Sequence, residues 1–171
     1  MDKTEDMQIN KLSIRSIDKI KTKSSLVHRG LRELGFITEQ IQNKQPVVFL
    51  VEDEAVINRL CTEELEKAGF KVFCYENSVE AKPFISEEKP DIIISGVMQP
   101  KEDGLTFLKE VKSNPEYENI IFILFTLLDM QDVKDKADEL GVDGFLSKRE
   151  ITSDLFIKEI FNIIERKAPA I

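Results

Sequence analysis

At 171 residues, 42% hydrophobic and 33% charged, the chain can bury the core of one domain with an extension to spare, which excludes wholesale disorder. Its longest apolar runs, such as residues 120–125, are far too short to cross a bilayer, and the first six residues lack the cationic start and apolar stretch of a secretory signal. Residues 1–46 carry nine Lys/Arg against six Asp/Glu and the remainder 15 against 26, so a basic arm (+3) precedes an acidic globule (−11) that disfavours nonspecific nucleic-acid binding.

The arm comes first. In residues 1–23 the apolar positions Ile9, Leu12, Ile14, Ile17 and Ile20 fit neither a strand nor a helix. Ser24 or Ser25 can cap a helix running to about Asn43, with Val27, Leu31, Leu34 and Ile41 near one face. Gly30 and Gly35 each cost such a helix about 1 kcal/mol against alanine, so it needs a packing partner. That partner is its own domain, a second copy of the chain, or another protein. His28, the only histidine, reads as a surface residue on this helix.

Pro46 closes the linker, which divides the chain into an arm (1–46) and a domain (47–171). From Val47 the pattern alternates strand and helix five times. Strands are predicted at 47–51, 71–75, 91–95, 120–125 and 143–146, and helices at 54–68, 78–87, 104–113, 131–140 and 152–167. Gly69 and Gly141 stand where helices end. Asn77 or Ser78 can cap the second helix of the domain, and Pro83 should shorten or kink it. Alternation of this kind implies a doubly wound parallel sheet with helices on both faces, and the apolar strand runs suit strands covered on both sides. Cys61 and Cys74 form no CxxC pair and no metal-ligand spacing. They read as reduced core or near-core thiols, and cytoplasm is the expected compartment.

Open α/β sheets place their chemistry beyond the carboxyl ends of the strands. Four motifs fall there: Glu52-Asp53-Glu54, the loop from Gly96 to Gly104, Phe125-Thr126, and Phe145-Leu146-Ser147-Lys148. Together they resemble the receiver domain of bacterial response regulators, and the resemblance covers about residues 47–167. It implies a flavodoxin-like sheet of order 2-1-3-4-5 and a place in two-component (phosphorelay) signalling. It further implies that the position of Asp53 binds Mg²⁺ directly, that Glu52 assists, and that the backbone carbonyl of Met98 contributes. Thr126 would hydrogen-bond the phosphoryl group and Lys148 would pair with it. Phe145 would be the switch aromatic that reports phosphorylation to the surface formed by the fourth helix, fifth strand and fifth helix.

The departures are as informative as the matches. In the family the third strand ends in the aspartate that accepts the phosphoryl group, followed three residues on by an apolar residue and proline; this chain has Gly96 and then Gln99-Pro100. Ser95 points to the opposite face by strand alternation, and the positions of Glu102 and Asp103 do not accept phosphate in the family. Leu127 replaces a small residue, Met98 and Leu128 make an apolar rim, and Arg149 replaces a proline, so a trans bond is expected after Lys148. With one oxygen donor lost, Mg²⁺ should bind weakly or not at all, no other cofactor is implied, and Lys148 could pair with Asp53.

The expected function is that of a pseudo-receiver with a degenerate phosphoacceptor pocket (Glu52, Asp53, Gly96, Thr126, Lys148). It would be a non-enzymatic module acting through protein–protein interaction with a histidine kinase or a downstream effector. The arm could support a homodimer, and neither nucleic acid nor membrane is an expected partner. Two alternatives are a metal-dependent phosphoacceptor that uses a substitute residue and the regulatory front end of a longer signalling enzyme. The second is disfavoured because the last predicted helix runs out at Lys167-Ala-Pro-Ala-Ile171 with no output domain behind it.

Overall fold

The computed structural model describes residues 45–127, 130–149 and 152–167. The expectations for the arm, including the helix over 24–43 and His28, and for Leu128 lie outside the described residues. Five strands, β1 (Val47–Val51), β2 (Lys71–Tyr75), β3 (Ile92–Ser95), β4 (Ile121–Thr126) and β5 (Gly144–Ser147), form one parallel sheet in the order β2-β1-β3-β4-β5. The helices α1 (Ala55–Lys67), α2 (Ser78–Ala81), α3 (Ile85–Glu88), α4 (Gly104–Ser113), α5 (Gln131–Glu139) and α6 (Ser153–Lys167) cover its two faces. This is the flavodoxin-like order expected from the motifs. None of the described helices is long and apolar enough to cross a membrane.

The reason the sheet is buried on both sides lies in its central strands. β1, β3 and β4 are runs of Val, Ile, Leu and Phe with every residue but the last of β3 and of β4 apolar, and all of them are buried. Period-2 alternation then divides them between two cores. Val48, Leu50 and Ile94 pack toward α1 and α6, whereas Phe49, Val51 and Ile93 pack toward α2, α3, α4 and α5. The two edge strands are the exceptions: Phe145 and Ser147 of β5 are half-buried, and β2 is only partly covered along its length. That corrects the expectation of uniformly doubly covered strands. It also corrects the placement of Cys74, which is exposed there while Cys61 is buried. Burial, reinforced by the nearby Glu52 charge, pushes the Cys61 thiol up to about 12, so it is no thiolate at neutral pH.

Two boundaries shift by one residue for a shared reason. Asp91 and Asp143, expected as first residues of β3 and β5, instead turn their carboxylates to backbone donors of the neighbouring strand. Asp91 Oδ2 accepts from the Val47 amide at 2.7 Å, and Asp143 Oδ2 accepts from the Phe122 amide at 2.7 Å. The expected helix over 78–87 is broken into α2, a 3₁₀ turn at Lys82–Phe84, and α3, because Pro83 has no amide hydrogen to continue the ladder. Asn77 caps α2 by accepting from the Glu80 amide at 3.2 Å. Gly69 (φ 99°) and Gly141 (φ 80°) take the left-handed conformation that ends α1 and α5.

Asp143 is also the buried centre of an ion cluster, with Lys112 Nζ at 2.6 Å and Lys167 Nζ at 2.5 Å. It ties β5 to β4, α4 and α6 from below. Asp143→Asn is therefore expected to lower unfolding stability by about 2 to 3 kcal/mol, because a charge-assisted bond to Phe122 and a buried counter-charge are both lost. Urea unfolding checks this; a change within about 0.5 kcal/mol would mean that water screens the cluster as at a surface pair.

Candidate functional site

The register brings the carboxyl ends of four strands to one edge. Val51 pairs with Ser95, Ser95 with Leu124, and Thr126 with Ser147. Backbone bonds continue past the strand ends, from Gly96 N to Val51 O at 3.1 Å and from Lys148 N to Thr126 O at 2.9 Å. Glu52, Gly96, Thr126 and Lys148 are thus neighbours, although 96 residues of sequence separate the first from the last.

At the centre lies an ion pair. Glu52 follows the parity of Val48 and Leu50 and turns toward the α1/α6 layer, and Lys148 follows the parity of Leu146 and turns the same way. Their side chains, 1% and 9% exposed, meet with Lys148 Nζ at 2.6 Å from Glu52 Oε2. Lys148 Nζ also lies 3.1 Å from Glu54 Oε1 and over the Phe125 ring. Glu52 Oε1 accepts from the Glu54 amide at 3.1 Å, while Oε2 lacks a hydrogen bond of good geometry among the described residues. The Lys148 ammonium is what answers its charge.

The expected pairing of Lys148 with Asp53 is corrected here. Asp53 sits one residue beyond Glu52 on the exposed turn, and the contacts of Lys148 fall on Glu52 and Glu54 instead. Glu54 had no assigned role in the sequence and could not be found there, since its reach to Lys148 depends on where β5 lies. Burial raises the Glu52 carboxyl above its ordinary value, and the Lys148 contact only partly offsets this. Burial works against the charged form of Lys148 as well, but Glu52 and Glu54 outweigh it and hold the ammonium above its ordinary value.

Gly96 ends β3 without a carboxylate. A Cβ built there would meet nothing closer than Met98 O at 3.5 Å, an ordinary contact, and its φ is not left-handed. The backbone therefore does not require glycine at 96. Gly104 is different, since a Cβ there would come within 2.0 Å of Gly96 O. Close approach of two backbone segments fixes that glycine.

A polar brace that sequence reasoning missed holds the intervening loop. Gln99 Nε2 donates to Gly96 O at 2.8 Å and to Ser95 Oγ, and Gln99 Oε1 accepts from the Ser78 amide at 3.0 Å. Glu102 accepts from Ser78 Oγ at 2.6 Å and pairs with Lys82 at 2.7 Å. The loop after β3 is stitched to α2 in this way. The available signal was Gln99 itself, a polar residue at a position where the resemblance implied an apolar one. Gln99→Ala should loosen the loop by about 1 to 2 kcal/mol, seen as faster amide exchange at Ser78 and across residues 96–104. Unchanged exchange would show that the brace holds nothing.

The substitute acceptors are engaged elsewhere. Ser95 is buried and bonded to Gln99, and Glu102 belongs to the brace. Asp103 caps α4, accepting from the Leu105 and Thr106 amides at 3.0 Å and from Thr106 Oγ1 at 2.7 Å. Partial burial opposes its charge, but those bonds outweigh it and hold the carboxyl below the usual range. Thr126 is buried at the end of β4. Phe145 is half-buried on β5, packed with Val133 against the second core, and Lys134 Nζ stands 5.5 Å from its ring centroid. Met98 and Leu127 are exposed. No cis peptide occurs among the described residues, so the bond from Lys148 to Arg149 is trans, as expected.

A magnesium ion takes about six oxygens in near-octahedral geometry. The donors here do not fit it. Glu52 holds Lys148, Asp53 stands on the turn, and position 96 supplies no carboxylate. Among the described residues no group of three His, Cys, Asp or Glu is placed to hold a metal ion.

Comparison with known proteins gives a family match over residues 48–160, to the response regulator receiver domain. The fold is similar to that of the chemotaxis response regulator CheY4 of Vibrio cholerae, at 23% identity and a TM-score of 0.65 over 70% of this chain and 99% of that one. It is also similar to the signal receiver domain of a signal transduction histidine kinase from Syntrophus aciditrophicus, at 25% identity and a TM-score of 0.65 over 74% and 95% of the two chains. The manganese-bound form of the response regulator Rcp1 matches at 26% identity and a TM-score of 0.61, over 74% and 96%.

Proposed function

The chain belongs to the response regulator receiver domain family, and from that membership we propose that it serves two-component signalling by protein–protein contact, without accepting a phosphoryl group. The observation that carries this reading is Gly96 at the end of β3, where an acyl phosphate would need a carboxylate. Supporting it, Lys148 is turned away to Glu52 and Glu54, so the cation that would meet phosphoryl oxygens is already neutralised. The positive charge that a divalent ion would bring is supplied from within the fold, and Mg²⁺ binds weakly or not at all.

Without the phosphoryl input, the surface around Phe145 and α5 is presented in one arrangement, with Lys134 over the Phe145 ring. A partner then recognises that arrangement directly, and only a ligand with different affinity for a second arrangement could shift it. The partner is a histidine kinase or a downstream effector, and the chain has no catalytic role of its own. The substitute-acceptor alternative is disfavoured because Ser95, Glu102 and Asp103 are each committed to structural bonds.

Intact mass after incubation with Mg²⁺ and acetyl phosphate tests this reading. The native chain is expected to show no added phosphoryl group. A stoichiometric gain would overturn the proposal, and peptide mapping would then identify the acceptor.

A further inference from the structure

The opposite end of the sheet from Gly96 carries a cavity of ligand size. It encloses about 470 Å³ beside the first residues of β3 and β4. Small-molecule sites are concavities of roughly 300 to 1,000 Å³ with an apolar lining and a few convergent polar groups. Buried Ile85, Pro90 and Ile120 form the apolar part here, with half-buried Tyr117 beside them. One wall is α3, and the other is a 3₁₀ turn at Pro115–Tyr117. Both walls are tied to the sheet. Asp91 N donates to Val47 O at 2.9 Å, Ile121 N to Asp91 O at 3.0 Å, and Ile120 N to Tyr117 O at 3.0 Å. The hollow is therefore preformed.

Its lip is charged on both sides. Lys89 stands at the end of α3 and Glu116 on the facing turn, both exposed. Neither side chain has an ion pair or hydrogen bond among the described residues. The third charged lining group, Asp91, is already committed to the Val47 amide at 2.7 Å. Lys89 also sits in a strained conformation. Its φ of 49° lies in the left-handed region that Gly69 and Gly141 take at the ends of α1 and α5. An ammonium is thus kept at the lip where glycine would relax the backbone, and strain of this kind gathers at ligand sites.

We infer that this cavity binds a small zwitterion with an apolar side chain, an α-amino acid or a dipeptide. A ligand with only negative charge would meet Glu116, and one with only positive charge would meet Lys89. A carboxylate toward Lys89 and an ammonium toward Glu116 answer both at once, and an aliphatic or aromatic side chain covers Ile85, Ile120 and Tyr117. The site is separate from the pocket around Gly96 and stands whether or not that pocket accepts a phosphoryl group.

Amide chemical shifts of the isotope-labelled full chain test this by NMR, with L-phenylalanine and L-leucyl-L-phenylalanine as probes. At least one is expected to give saturable shifts confined to residues 85–91 and 116–121, and the tighter of the two tells amino acid from dipeptide. Acetylating the ammonium of that probe, or converting its carboxylate to an amide, should weaken binding about tenfold or more. Lys89→Gly should weaken it by about as much while leaving the urea midpoint the same or higher, because it relieves the left-handed backbone. Glu116→Gln, on an exposed turn, should weaken it similarly. No saturable shift with either probe up to about 10 mM, shifts centred elsewhere, or blocked probes that bind as tightly would overturn the assignment. Binding that neither substitution weakens overturns it equally.

Discussion

Lys148→Met is expected to cost the domain about 3 to 5 kcal/mol of unfolding stability, the largest effect of any single substitution considered. The reason is asymmetry. Glu52 is buried, its Oε2 has no hydrogen bond of good geometry among the described residues, and Lys148 supplies the neutralising charge. Taking the lysine away leaves a carboxylate in an apolar setting between α1 and α6, where it must either stay charged at high cost or take up a proton. The double variant Glu52→Gln/Lys148→Met removes both charges and should recover most of the loss. Urea midpoints for the two variants check the pair. A single variant within about 0.5 kcal/mol of the native chain would mean that water already screens the pair.

The same pair sets a pH dependence whose sign follows from linkage. Lys148 has a folded pKa above its ordinary 10.5, so its contribution is fully present below that value and is lost as pH rises through the folded one. Glu52, raised above 4.5 by burial, acts with the same sign but in the acid range. There the folded state holds the proton more tightly than the unfolded one, and stability falls as pH rises from 4.5 through the folded value. In Lys148→Met only the Glu54 amide bond still offsets burial, so that acid-side decline should extend further toward neutral pH. A stability profile parallel to that of the native chain would contradict the pairing.

Gly96→Asp is the second large prediction. The site has room for the change, since a Cβ at 96 meets only ordinary contacts and the backbone is not in the left-handed region. The variant should fold with a urea midpoint near the native one. A third carboxylate beside Asp53 and Glu52 offers Lys148 an alternative partner and completes an oxygen donor set, so Mg²⁺ affinity should rise by on the order of tenfold or more. Acetyl phosphate should then add one phosphoryl group to the variant and none to the native chain. If the variant folds, binds Mg²⁺ and still gains nothing, the loss extends beyond the acceptor, and the Gln99 brace becomes the next position to release. If it fails to gain Mg²⁺ affinity at all, the Glu52–Lys148 pair is too stable to open.

Much of this molecule was legible in its residues. Continuous apolar runs at 47–51 and 121–125, helical spacing between them, and glycines at 69 and 141 determine a doubly covered parallel sheet, because only that layout buries such strands on both faces. The glycine at position 96 is likewise a covalent fact, and the absence of a carboxylate needs no coordinates.

Which side chains meet was another matter. Asp53 and Glu52 are adjacent in sequence, and only the parity of β1 against β5 decides that Lys148 takes Glu52 and Glu54. The same holds for Gln99, Ser78 and Glu102, whose bonds join loops brought side by side by the order β2-β1-β3. The physical reason is range. Periodicity and capping are local properties that one stretch of chain carries by itself, whereas an ion pair spanning 96 residues exists only once strand order and register have placed its two ends within 3 Å.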